Sequence, residues 1–180
     1  MLYKILLRHA LLYKPIPMSA NNQIPESYEM GKLFENYLRC HIFIKKHFVI
    51  LDKTHDFQAN QGDFIESSLN PDFRMRDKTN RVFYLEAKFR TNSFDDKINW
   101  CNFDQLKRYQ EFDKTHPVFI AIGLGGKPDY PKNLFVIPLQ EAAHTDLFMS
   151  VALKYQFPLG KPIIPDALWN LIKVDYRKAG

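Results

Sequence analysis

The chain has 180 residues, a net charge of +5, and a composition that is 46% hydrophobic and 14% aromatic. That length and apolar content suit one domain with a sizeable core, and seven glycines and eleven prolines do not describe a disordered chain. Two cysteines, Cys40 and Cys101, argue against a disulfide framework and for reduced thiols in a cytoplasmic protein; no Cys/His spacing suits zinc, and no apolar run is long enough to cross a membrane.

Residues 1–24 read as an N-terminal extension and 25–180 as a single domain. The apolar stretch from Leu2 to Leu12 is broken by Lys4, Arg8 and His9, so it is too short for a signal-peptide core. It suits a docked amphipathic helix, or a segment preceding a true start at Met18. Pro25 then opens a helix. Met30, Leu33, Phe34, Tyr37, Leu38 and His41 fall at helical spacing and form its expected buried stripe. Glu35 lies at the edge of that stripe, with Gly31 one turn earlier. A helix-interior glycine costs about 1 kcal/mol relative to alanine, which predicts a close approach at Gly31. The plain alternative for Glu35 is a solvated pair with Arg39 four residues on.

Residues 47–51 read as a buried strand. A long polar loop over 52–69 follows, with a turn at 60–63 and a short helix at 64–68. Then come two runs with period-2 alternation, Asn70-Pro71-Asp72-Phe73-Arg74-Met75-Arg76 and Arg81-Val82-Phe83-Tyr84-Leu85-Glu86-Ala87-Lys88-Phe89-Arg90. They predict a β-hairpin. Setting Asp72 opposite Glu86 places Asp72, Arg74, Arg76, Tyr84, Glu86, Lys88 and Arg90 on one face. The other face is then wholly apolar, and a one-residue slip would bury charge. This register needs an odd-length loop or a bulge within 77–80, where Asp77 and Asn80 tolerate left-handed backbone angles. Between Asp72 and Arg90 six basic residues face three acids. Two carboxylates and an ammonium on one sheet face are costly unless something uses them. A divalent cation would explain the carboxylates, because Mg²⁺ is commonly held by one or two of them.

Asp95 and Asp96 read as a solvated loop or cap rather than a second metal site. Residues 98–112 predict a helix with Leu106, Tyr109 or Gln110, and Phe112 inward; Gln105 and Tyr109 share a face. Residues 117–123 form a buried central strand that the glycines at 123, 125 and 126 end. Those glycines lack the following Lys-Ser/Thr of a phosphate loop. Residues 133–138 form another strand, 141–153 have helical spacing, and Pro165 opens a short helix.

Pro71-Asp72 followed by Glu86-Ala87-Lys88 resembles the signature of the PD-(D/E)XK nuclease superfamily. Gly31-Lys32-Leu33-Phe34-Glu35 resembles that family's first helix, and Gln105-Leu106-Lys107-Arg108-Tyr109 resembles the Gln-x-x-x-Tyr motif of its exonuclease and RecB-like branch. The resemblance covers about residues 25–140. It implies a restriction-endonuclease-like α/β fold: an αβββαβ core with a mixed central sheet flanked by helices, here extended by N- and C-terminal helices.

It also implies a Mg²⁺-dependent deoxyribonuclease, with Mn²⁺ as a substitute cation and nucleic acid, DNA first, as partner. Asp72, Glu86 and the carbonyl of Ala87 would be ligands, with Glu35 acting through water or at a second metal. Lys88 would position the attacking water or offset developing charge. Gln105 and Tyr109 would hold substrate or water, and Arg74, Arg76 and Arg90 would contact backbone phosphates. The rivals are a non-catalytic nucleic-acid-binding module on the same fold, and a structural or partner-binding protein in which these charges form a surface salt-bridge ladder.

Overall fold

The protein is described by a computed structural model over residues 26–54 and 70–172. The expected N-terminal helix, the start at Pro25, and the turn and short helix within 60–68 lie outside the described residues. Helix α1 (Glu26–Tyr37) continues into a π-helical turn at Leu38–Ile42. Phe34, Tyr37, Leu38 and Ile42 are buried, whereas Leu33 is 48% exposed and His41 faces solvent. This corrects the expected stripe. The π-turn closes with the Phe43 amide on the Leu38 carbonyl, a five-residue step. That wider step carries the buried line to Ile42 instead of His41.

Strands β1 (Phe48–Lys53), β2 (Phe73–Asp77) and β3 (Val82–Arg90) follow, then the short β4 (Lys97–Asn99) and α2 (Phe103–Asp113). After α2 come β5 (Val118–Lys127), β6 (Tyr130–Pro138), β7 (Asp146–Phe148), α3 (Met149–Ala152), β8 (Gln156–Phe157) and α4 (Pro165–Trp169). The large sheet has the order β1-β2-β3-β5-β6-β8, and β4 pairs with β7 in a separate ribbon. Only β3–β5 is parallel in the six-stranded sheet, so it is mixed. The chain order through β5 is αβββαβ with β4 inserted before α2.

Alternation along β3 and β5 sends side chains to two cores. Phe83, Leu85, Phe89, Phe119 and Ala121 pack with Phe34 and Tyr37 from α1 and Leu38 from the π-turn. Val118, Ile120 and Ile122 pack with Leu106 and Tyr109 from α2. The two helices therefore cover opposite faces of the sheet. Glu86 and Lys88 are even-numbered in β3 and share the α2 side with Tyr84.

Four other expectations change. β1 sits at a sheet edge with only Phe48 buried, so residues 47–51 are not an interior strand. Helix α2 starts at Phe103, not Ile98; Ile98 belongs to β4, and Asn102 caps the helix by accepting from the Gln105 amide at 2.8 Å. Residues 141–153 are not one helix. Leu147 serves β7 by pairing with Ile98, and only Met149–Ala152 is α-helical. The glycine run does not end β5, which continues to Lys127 and turns into β6.

The glycine that admits a close approach is Gly123, not Gly31. A Cβ at Gly31 would meet nothing within 4 Å, whereas a Cβ at Gly123 would lie 2.5 Å from the Phe34 ring. Phe34 thus occupies the space that a side chain on β5 would fill, and this contact seats α1 on the sheet.

Candidate active site

The hairpin has the register that its hydrophobic pattern selects. Phe73 pairs with Leu85, Arg74 with Tyr84, Met75 with Phe83 and Arg76 with Val82. The turn is odd-length: the Asp77 amide bonds the Arg81 carbonyl, leaving three residues between, and Asn80 has φ of 68°. Asp77 itself is a structural hub that sequence reasoning missed. Its buried carboxylate accepts from the Thr79 amide and hydroxyl, the Arg81 amide and Nε, and Trp169 Nε1 at 2.7–3.0 Å. Burial works against its charge, but the Thr79 and Arg81 bonds prevail and hold its pKa below the usual aspartate value. The turn signal was legible; the tie to Trp169 is long-range and was not.

At the other end of the hairpin, Asp72 and Glu86 are bound reciprocally. The Asp72 amide donates to Glu86 Oε2 at 3.3 Å, and the Ala87 amide donates to Asp72 Oδ2 at 2.8 Å. Continuing the register sets Pro71 opposite Ala87. Within a strand, the N–H and C=O of one residue point the same way, so the Ala87 carbonyl also faces that edge. Proline has no N–H, and the ladder bond that would occupy this carbonyl is not available.

Glu86 is 2% exposed, and its Oε1 pairs with Lys88 Nζ at 2.5 Å. Asp72 is pushed well above the usual carboxylate range, first by burial and next by the Glu86 charge; Lys88 opposes the shift. Lys88 is raised in turn: burial disfavours its charge, but Glu86 and Asp72 outweigh that. Three charges of net −1 thus crowd one largely dry spot.

Tyr109 is buried and hydrogen-bonded to Glu86, and its ring stacks on Trp100 with centroids 6.4 Å apart. Burial and Glu86 drive its pKa far upward, so it serves as a neutral donor. Gln105 turns to the start of α2 instead of joining this cluster. Its side chain completes the capping box by accepting from the Asn102 amide at 3.4 Å. One turn on, Arg108 Nε is buried without a hydrogen-bond acceptor among the described residues. Sequence reasoning passed over it, although it lies inside the Gln-x-x-x-Tyr run, three residues from Gln105.

Glu35 is 8% exposed and does not pair with Arg39. It is held by Lys32 Nζ at 3.2 Å and Lys53 Nζ at 3.1 Å. Its charge is felt at Asp72 and raises that pKa. Arg74 and Arg76 continue along β2 from Asp72 and reach solvent. Arg90 differs. Its guanidinium donates to the carbonyls of Asn99 at 2.6 Å, Phe89 at 2.9 Å and Trp100 at 3.1 Å, so it ties β3 to the segment leading into α2.

No family model matches the sequence, and no curated protein matches it. Among solved structures, the chain is similar to Hjc. That protein is a Holliday junction resolvase from the archaeal hyperthermophile Archaeoglobus fulgidus. The match covers 74% of this chain and 94% of that chain, at 15% identity and a TM-score of 0.46.

The donor set can be tested against a divalent cation. Among the described residues no three His, Cys, Asp or Glu side chains form a metal-holding group. Two carboxylates and a carbonyl suit Mg²⁺, which keeps several waters and needs only one or two carboxylates. The crowding of Asp72 and Glu86, felt as the raised Asp72 pKa, is the repulsion that a divalent cation relieves. The residues present fit such an ion.

Proposed function

We propose that the chain is a metal-dependent nuclease of the PD-(D/E)XK type, cleaving phosphodiester bonds of DNA with Mg²⁺ or Mn²⁺. The observation that carries this reading is the Asp72–Glu86 pair, locked by reciprocal backbone bonds and salt-bridged to Lys88. A surface salt-bridge ladder has no need of a glutamate that is 2% exposed beside a second carboxylate, because burying like charges is costly.

A bound cation would polarise a phosphoryl oxygen and acidify its water. Asp72, Glu86 and the Ala87 carbonyl would hold it, with Glu35 in support through water. Lys88 keeps an ammonium at the reacting phosphate, where it orients the attacking water and offsets charge that grows in the transition state. Tyr109 fixes the Glu86 carboxylate by donating to it. Gln105 and Arg108, one turn apart on α2, would hold substrate, the latter with its unused Nε–H. Arg74 and Arg76 would track the phosphate backbone.

The test is cleavage of single-stranded DNA, duplex DNA and RNA by the whole chain with Mg²⁺ or Mn²⁺, against an EDTA control and Glu86→Gln. Metal-dependent cleavage lost in the variant supports the proposal. Absence of cleavage on all three substrates, or equal cleavage by Glu86→Gln, rejects it.

A further inference from the structure

We infer that the cavity beside the β4–β7 ribbon receives one unstacked nucleobase, and that the chain therefore engages nucleic acid carrying unpaired nucleotides. The inference rests on the nuclease reading for its choice of polymer. The cavity has a volume of about 400 Å³, inside the range of ~300–1,000 Å³ typical of ligand pockets. Its wall begins at Arg90, two residues beyond Lys88 on the same strand, so it adjoins the catalytic strand directly.

Three features select a base rather than a phosphate. First, Arg90 and Lys97 are balanced by Asp95 and Asp146, so the lining is electrically neutral. A phosphate groove would carry an excess of positive charge. Second, Asn92 adds a carboxamide, and Asn99 adds another whose Nδ2 already donates to Asp146 Oδ1 at 3.0 Å. A carboxamide matches the edge of a heterocycle, since each both gives and takes hydrogen bonds. Third, Phe94 borders the cavity with 81% of its surface exposed.

Phe94 is not a loose side chain. It opens a two-residue turn closed on both sides, Phe94 amide to Lys97 carbonyl and Lys97 amide to Phe94 carbonyl, each at 2.9 Å. Both central residues, Asp95 and Asp96, have positive φ, 48° and 55°. The Met149 amide anchors the turn by bonding the Asp96 carbonyl at 2.7 Å. Positive φ at both central residues is the geometry of a tight two-residue hairpin turn, and aspartate tolerates it, so the turn is well defined. Here its effect is to fix an aromatic ring at the mouth of a polar cavity. Base–aromatic stacking is the sequence-tolerant way to capture an unpaired nucleotide.

The experiment uses the whole chain in EDTA, where turnover is blocked and binding alone is read. The probes are a short duplex with one central unpaired 2-aminopurine, and the same duplex fully paired. Wild type should bind the bulged duplex more tightly and quench its fluorescence by stacking. Phe94→Ala should lose about tenfold in affinity for the bulged duplex, lose the quench, and bind the paired duplex within about twofold of wild type. Phe94→Tyr should keep both the affinity and the quench. Equal binding of the two duplexes by wild type, an unchanged quench in Phe94→Ala, or equal weakening on both duplexes would overturn the inference. The nuclease reading is judged separately, by Mg²⁺-dependent cleavage of the paired duplex, which Phe94→Ala should retain.

Discussion

Asp72 and Glu86 hold each other through the backbone: the amide of the first binds the carboxylate of the second, and the carboxylate of the first binds the amide that follows the second. Two like charges are thereby held close together by backbone hydrogen bonds. Burial, then Glu86, raises the Asp72 pKa. The folded state binds the Asp72 proton more tightly than the unfolded state. Stability of the metal-free protein should therefore fall as pH rises from the ordinary aspartate value, ~3.9, through the raised one. Asp72→Asn should remove this fall and make the metal-free protein more resistant to urea at neutral pH. It should also cost cleavage about a thousandfold or more, the loss of several kcal/mol of transition-state stabilisation. A less stable Asp72→Asn protein, or one that still cleaves, would contradict the assignment.

Gly123 and Phe34 make a contact that no larger residue permits. Since a Cβ would come within 2.5 Å of the ring, Gly123→Ala should destabilise the fold by about 1–3 kcal/mol through overpacking. Gly31→Ala should do the reverse, adding about 1 kcal/mol to stability, because its Cβ meets nothing within 4 Å. Denaturant midpoints of the two variants on either side of wild type are the expected outcome.

At the Asp77 hub the sign is opposite to that at Asp72. Its folded pKa is depressed, the Thr79 and Arg81 bonds overcoming burial. Its contribution is thus present above the unfolded value and lost as pH falls through the folded one. Asp77→Ala should cost about 3–5 kcal/mol at neutral pH, by stranding the donors of Thr79, Arg81 and Trp169. The gap from wild type should narrow in acid, as chemical denaturation followed from neutral pH downward would show.

Period-2 alternation in the hairpin was sufficient to read β2, β3, their register and the Asp72–Glu86 juxtaposition, because one face had to be apolar. Short elements were not legible in the same way. Ile98 and Leu147 are apolar at spacings that also suit helices, and their pairing in the β4–β7 ribbon depends on contact across some fifty residues of chain. The π-turn after Tyr37 likewise shifted the buried line by one residue, which no local pattern announced. Within the site, residue types pointed to Asp72, Glu86 and Lys88 as a cluster, but hydrogen-bond partners did not follow from them. Arg90 was read as a phosphate contact by its face, yet three backbone carbonyls take up its guanidinium.

That difference separates the arginines experimentally. Arg74→Ala and Arg76→Ala should weaken DNA binding across sequences, each lowering the slope of log affinity against log salt by about 0.9, with little change in stability. Arg90→Ala should instead lower the denaturant midpoint, since it unties β3 from Asn99 and Trp100. Unchanged salt slopes in the Arg74→Ala, Arg76→Ala double variant would place the DNA on another face.

Lys88 stands between structure and chemistry, and the two roles can be told apart. Its ammonium balances Glu86, so Lys88→Ala leaves a buried carboxylate without its partner, and the metal-free variant should lose about 3–5 kcal/mol of stability. A divalent cation at the Asp72–Glu86 pair would replace the missing positive charge. Saturating Mg²⁺ should therefore restore most of the stability of Lys88→Ala while leaving its cleavage low, because an ammonium acting on developing charge affects the rate more than the ground-state complex. Lys88→Arg should restore stability but only part of the rate, since a planar guanidinium does not substitute for a compact point charge. Single-turnover cleavage at saturating metal and DNA, paired with urea denaturation in Mg²⁺ and in EDTA, reads both roles. A variant that is stabilised by Mg²⁺ and cleaves within a few-fold of wild type would leave Lys88 a structural counterion and remove it from the reaction.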